Sequence, residues 1–147
     1  MKNIFIPLGL LFLISCSTYS EQEITSFDKT IQKFMLKNSL KLTRTDSGLY
    51  FKEIKEGMGR SIRYQDSVAI TYTGKLLSGK LVDMQKKPLT FSVKDLIMGW
   101  KEALTMAKNG SEIILIIPPN LGYGSHDLEQ IPQNAILYYD LKVWDVK

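Results

Sequence analysis

The sequence predicts an α+β domain, an antiparallel sheet of five to six strands wrapped around one short α-helix, with a second short helix ahead of it. Three observations carry this. From Thr45 onward the apolar residues mostly fall at a spacing of two, the period of half-buried strands. One stretch departs from that period: residues 96–110, where Leu96/Ile97, Trp100, Ala103/Leu104 and Ala107 recur at helical spacing. A helix this short cannot bury Trp100 alone, so the strands on either side must cover it.

Taken in order, residues 1–15 stand apart from the fold. Lys2 precedes an apolar run over residues 4–14, closed by Leu13-Ile14-Ser15-Cys16. The run is too short to span a bilayer core of ~30 Å and reads as a signal peptide. Its Leu-x-Ser-Cys ending is similar to a bacterial lipoprotein signal, and that likeness implies a lipidated Cys16 as the mature N-terminus. The plainer alternative is a secretory peptide with an incidental cysteine. Cys16 is the only cysteine in the sequence, so it has no disulfide partner. A lipid anchor gains ~0.8 kcal/mol per buried CH₂ and needs more than one chain to hold firmly; the lipoprotein modification supplies several.

Residues 16–44 read as a lipidated tether and an amphipathic helix. Residues 17–23 are polar; Phe27, Ile31 and Phe34/Met35 follow at helical spacing, with an end near Asn38. The segment is a spacer or a cap on the domain. Its heptad does not persist far enough for a dimerising coiled coil, and a monomer is expected.

Residues 45–147 form the domain. Residues 49–54 make a strand that ends at Gly57-Met58-Gly59. Residues 68–73 make a second, with Val68, Ile70 and Tyr72 on one face and Gly74 breaking it. Ser78-Gly79 turns the chain, residues 80–83 return, Lys87-Pro88 is a loop, and residues 89–93 lead into the helix. Asp95 caps the helix start, Lys108 sits in its last turn and Asn109-Gly110 stops it; Gly99 weakens it, which predicts two to three turns. Residues 111–117 are a β-branched strand halted by Pro118-Pro119. A long loop covers residues 120–134. The last strand, 135–146, alternates, with Leu137, Tyr139, Leu141 and Val143 on one face.

Composition narrows the chemistry. Of 147 residues 44% are apolar, enough for a real core, and 23% are charged. The net charge of +4 is small and its basic residues are scattered, which excludes a nucleic-acid footprint. His126 is the one histidine, no nucleophile elbow or phosphate-binding glycine loop is present, and the acids are dispersed. No metal or cofactor is expected, so any reaction must be driven by environment alone. Rotation about an X-Pro peptide bond is such a reaction. Its barrier of ~18–20 kcal/mol comes from amide resonance, and uncatalysed it takes tens of seconds. A dry aromatic pocket disfavours the planar, charge-separated amide, and hydrogen bonds to the twisted carbonyl help further. Tyr72, Phe91, Trp100, Tyr123 and Tyr139 supply the aromatic material.

At these residues a family resemblance becomes specific. Tyr72-Thr73-Gly74, Gly79-Lys80-x-x-Asp83, Gly99-Trp100-x-x-Ala103-Leu104, Gly122-Tyr123-Gly124 and Ile131-Pro132-x-Asn134-Ala135 occur in one order. That order and spacing resembles the FKBP-type peptidyl-prolyl isomerases, and Thr45-x-Ser47-Gly48-Leu49-Tyr50 with Glu56-Gly57-x-Gly59 is similar to the entry into the domain in bacterial envelope members. The likeness covers residues 45–147. It implies that Tyr72, Phe91, Leu96, Ile97, Trp100, Tyr123, Ile131 and Tyr139 line a proline pocket with Trp100 as its floor. It further implies that the Ile97 N–H binds a substrate carbonyl, that Tyr123 donates a hydrogen bond and that Asp83 polarises the twisting amide. Plainer roles remain for each: Trp100 and Tyr139 as core, Asp83 as a turn carboxylate.

The implied partners are proline-containing polypeptides and macrolides of the FK506 type, the implied place is the periplasmic face of the outer membrane, and no cofactor is implied. The alternative function is a proline-binding chaperone, or an accessory subunit of an envelope complex, motility included, with little turnover. The sequence departs from the pattern at Val82, where active members carry Phe against the substrate proline. Leu89 stands where a second aromatic is common, Tyr139 replaces Phe and brings a hydroxyl that needs a partner, and the loop after Tyr123 is about one residue shorter.

Overall fold

A computed structural model of the protein describes residues 19–147. The signal stretch and Cys16 lie outside the described residues. The chain runs α1 (Glu21–Lys37), β1 (Thr43–Arg44), β2 (Tyr50–Lys55), β3 (Ser67–Leu76), β4 (Leu81–Ser92), α2 (Met98–Thr105), β5 (Glu112–Ile117) and β6 (Leu137–Val146). The six strands form one sheet in the order β1-β2-β5-β6-β3-β4, antiparallel at every pairing. This is the expected α+β architecture, with the two-residue β1 as an addition at one edge.

One face of the sheet packs on α2. Leu49, Val68, Ile70, Leu115, Leu137 and Val143 are fully buried against Trp100, Ala103 and Leu104. Each such side chain contributes about 1.5–3 kcal/mol of apolar burial. The helical stripe read from the sequence is therefore the face that is buried. The ends of α2 differ from expectation. Asp95 belongs to a 3-10 turn over Val93–Asp95, and the N-cap is Ile97, with no side-chain cap. The helix stops at Thr105, because the backbone beyond it is used elsewhere: the Ala107 carbonyl accepts from Ile62 N–H, and Asn109 N–H donates to Arg60. Lys108 lies past the helix and pairs with Glu56 at 2.5 Å. Gly99 has a packing role, since a Cβ there would stand 2.7 Å from Ile117 Cγ2.

Two further expectations change. Gly74 does not break β3, which runs on to Leu76. Lys87-Pro88 is not a loop between two strands but a bulge inside β4. Ile70 pairs with Leu89 and Tyr72 with Gln85, so residues 86–88 all bulge out opposite Thr71. β4 is an edge strand, where proline leaves no ladder bond unmade.

α1 begins earlier than its apolar period suggests. Ser20 and Glu23 form a reciprocal capping box, so residues 21–23 are helix, not tether. Its apolar side covers the far face of the sheet. Ile31 is buried with Tyr50 and Ile116, and Phe34 meets Tyr138 edge-on at 6.2 Å. Tyr50 donates to Asp28 at 2.6 Å, and Arg44 pairs with the same carboxylate at 2.7 Å. Of spacer and cap, the helix is a cap. No helix among the described residues is long and apolar enough to cross a membrane.

Candidate active site

The site is set by strand register. Gly74 on β3 lies level with Asp83 on β4 and with Tyr139 on β6. Residues level across a sheet share a face, and so do residues two apart on one strand. Asp83, Tyr139 and Tyr72 therefore project on the side that faces α2. The first turn of α2 brings Trp100 up beneath them, and the segment before it brings Leu96 and Ile97. The turn after the 3-10 helix Pro119–Leu121 supplies Tyr123.

These groups enclose a cavity of about 280 Å³, lined by Tyr72, Asp83, Phe91, Asp95, Leu96, Ile97, Trp100, Tyr123 and Tyr139. Its aromatic geometry is ordered around Trp100. Tyr72 stands edge-on to it at 4.9 Å and 88°, and Tyr139 at 5.0 Å and 86°. Phe91 leans on Tyr72 at 6.2 Å. Edge-to-face pairs of this kind hold each ring beyond what area burial alone gives, by about 0.5–1.5 kcal/mol per pair. The indole Nε1 of Trp100 is buried with no partner among the described residues.

The polar groups sit on one wall. Tyr72 donates to Asp83 at 3.0 Å. Burial, the hydrogen bond to Asp83, the Asp83 charge and then Tyr123 push the Tyr72 phenol up to about 12. Burial and then the Asp83 charge push Tyr123 up as well. Tyr139 is pushed up by burial, then by Tyr123, Asp83 and Tyr72. All three phenols are thus held protonated at neutral pH, as donors. Ile97 N–H, at the N-cap, has no hydrogen-bond partner among the described residues.

Of the residues picked out in the sequence, the fold brings Tyr72, Asp83, Phe91, Leu96, Ile97, Trp100, Tyr123 and Tyr139 to this one cavity. It leaves two outside the lining. Val82 is half-buried against the core, next to the register shift between Gly74 and Lys75, and Ile131 is a core residue. Leu89 is exposed. Asp95 is a wall residue that sequence reasoning took for a helix cap. No local signal separates the two roles, because both put an acid just ahead of Leu96.

A ring-lined cavity with a few convergent hydrogen-bond donors suits a small apolar ring. The comparisons agree. Residues 59–144 match the family model for FKBP-type peptidyl-prolyl cis-trans isomerase. The chain is 41% identical over 110 residues to the FKBP-type peptidyl-prolyl cis-trans isomerase FkpA of Buchnera aphidicola from Schizaphis graminum, covering 72% of this chain and 44% of that one. To FkpA of Escherichia coli K12 it is 35% identical over 119 residues, covering 79% of this chain and 43% of that one. The chain thus spans less than half the length of these relatives. The crystal structure of Escherichia coli FkpA superposes with a TM-score of 0.74 at 30% identity, over 86% of this chain and 62% of that one. The chain belongs to the FKBP-type peptidyl-prolyl cis-trans isomerase family.

Proposed function

We propose that this protein catalyses cis-trans isomerisation of X-Pro bonds in exported or envelope polypeptides, and that it is held at the envelope through a lipidated Cys16. The observation that carries the first part is the box of Tyr72, Trp100 and Tyr139 rings, walled by Asp83 and Tyr123. A proline ring on Trp100 is stripped of water, and the low dielectric disfavours the charge-separated planar amide. Ile97 N–H holds a neighbouring substrate carbonyl and fixes the peptide in place. Tyr123 donates to the substrate, and Asp83, held by Tyr72, polarises the twisting amide. Phe91 and Leu96 close the apolar side. No nucleophile or proton transfer is needed, and each group acts most strongly on the twisted state. The same pocket accommodates macrolides of the FK506 type. Residues 16–44 link the lipid to the domain of residues 45–147, which works as a monomer on the periplasmic side, at the outer membrane.

A second reading has one observation behind it: Val82 and Leu89 leave the pocket rim without the further ring that active relatives present. In that reading the domain holds proline segments as a chaperone or envelope subunit and turns them over slowly. A protease-coupled assay on X-Pro peptides separates the two. Acceleration that a macrolide of the FK506 type abolishes is expected; peptide binding without acceleration would select the chaperone reading. For the anchor, Cys16→Ser should move the protein from the membrane pellet to the soluble fraction, and retention in the pellet would end the lipoprotein reading.

A further inference from the structure

Tyr139 occupies an unusual place. Its register partner, Gly74, has no side chain, and the phenol ring lies over that gap: a Cβ on Gly74 would collide with Tyr139 Cε1 and Cζ. The ring is fully buried, yet it lines the cavity, and its hydroxyl finds no hydrogen-bond partner among the described residues. The hydroxyl oxygen itself is not buried: it keeps a small accessible surface, so it opens on the cavity and not into the core. The groups whose charge bears on it are Tyr123, Asp83 and Tyr72, so it stands with the polar wall and not with the aliphatic core. Of the three phenols on that wall, Tyr72 is already engaged with Asp83 at 3.0 Å. Tyr139 and Tyr123 are the two with a hydrogen still to give, and burial keeps Tyr139 protonated.

We propose that the Tyr139 hydroxyl is a further catalytic group, a hydrogen-bond donor that engages the X-Pro carbonyl as the amide twists out of conjugation. The inference rests on the isomerase reading above. Because Asp83 and Tyr139 flank Gly74 on the two neighbouring strands, a carbonyl rotating at this wall passes between an acceptor and a donor. Tyr139 then stabilises the carbonyl chiefly in the twisted geometry, and its contribution belongs to kcat and not to KM.

The test is steady-state isomerisation of one X-Phe-Pro peptide by the full chain and by its Tyr139→Phe variant, with melting temperatures of both. The variant removes one oxygen and keeps the ring. We expect kcat to fall about fivefold to tenfold, the effect of one neutral hydrogen bond, with KM nearly constant and a melting temperature equal or higher. An active parent protein and an equal or faster Tyr139→Phe variant would overturn the proposal and leave the isomerase reading standing. A loss of kcat/KM carried wholly by a higher KM, or one that tracks a lower melting temperature, would also overturn it and assign Tyr139 to ground-state binding or structure. No acceleration by the parent protein would sink the isomerase reading and this inference together.

Discussion

Tyr50 and Tyr139 are both buried in this sheet, on opposite faces, and they end in opposite ways. Tyr50 reaches Asp28 of α1 at 2.6 Å, and the same carboxylate takes Arg44 and Gln32. The Tyr50 hydroxyl and both Asp28 oxygens all have an intramolecular partner, and the cluster clamps α1 to the domain. Tyr139 shares a wall with Tyr72, Tyr123 and Asp83, yet among the described residues its hydroxyl has no partner, and neither do Trp100 Nε1 and Ile97 N–H. Trp100 Nε1 is the buried one of these, while the Tyr139 hydroxyl and Ile97 N–H are open to the cavity side, where a ligand could reach them. Satisfaction of hydrogen bonds therefore separates the aromatic cluster under α1 from the one lining the cavity, where residue type does not.

The largest break in this comparison should come from Gly74→Ala. The added methyl meets the Tyr139 ring, which has no room to withdraw between Trp100 and Tyr72. Overpacking at this level costs about 3 kcal/mol. The melting temperature should fall by roughly 10 °C, with turnover largely lost; calorimetry and the peptide assay on one sample check both. Ile31→Ala tests the other face. It uncovers Tyr50 and Ile116 and should lower stability by about 2–3 kcal/mol in a denaturant titration, with kcat/KM unchanged. A matching loss of turnover would show that the two faces are coupled.

Smaller effects sharpen the contrast. Asp83→Ala and Tyr123→Phe should each lower kcat/KM about tenfold, near 1.4 kcal/mol of transition-state stabilisation, at nearly constant melting temperature. Stability loss with full turnover would place these residues among the structural groups. The smallest effect is that of Asp28→Asn, about 1 kcal/mol of stability at neutral pH for a surface-proximal pair. Burial pushes the Asp28 carboxyl up, but the Tyr50 and Arg44 hydrogen bonds, the Arg44 charge and Gln32 outweigh it and hold it below its usual 3.8. A carboxyl lowered on folding contributes above its unfolded pKa and loses that contribution as pH falls through the folded one. Unfolding free energy should thus drop more steeply below about pH 4 in the parent than in Asp28→Asn, while kcat/KM at neutral pH is the same in both. Parallel curves would show that Asp28 does not hold the clamp.

Local periodicity alone was enough to locate the buried stripe of α2, the alternating face of β6 and the apolar side of α1, while the aromatic residues of the pocket came from the family resemblance. Burial preference repeats with the period of the element, so it is written in neighbouring residues. What periodicity cannot carry is pairing between distant segments. Gly74 looks like a strand breaker until β6 places Tyr139 over it. Pro88 looks like a loop until β4 proves to be an edge. α2 looks as if it ends at Asn109-Gly110 until Arg60 and Ile62 claim the backbone past Thr105. Val82 on β4 and Ile131 in the loop before β6 pack into the same core cluster as Trp100 and Tyr139, and Asp95 lines the wall beside Leu96. The sequence by itself determined which side chains are apolar enough to be buried and which could build a proline pocket. Only the tertiary structure decided which of them reach it and which hydroxyls stay open there, because register, edges and hydrogen-bond satisfaction are set by contacts between residues far apart in the chain.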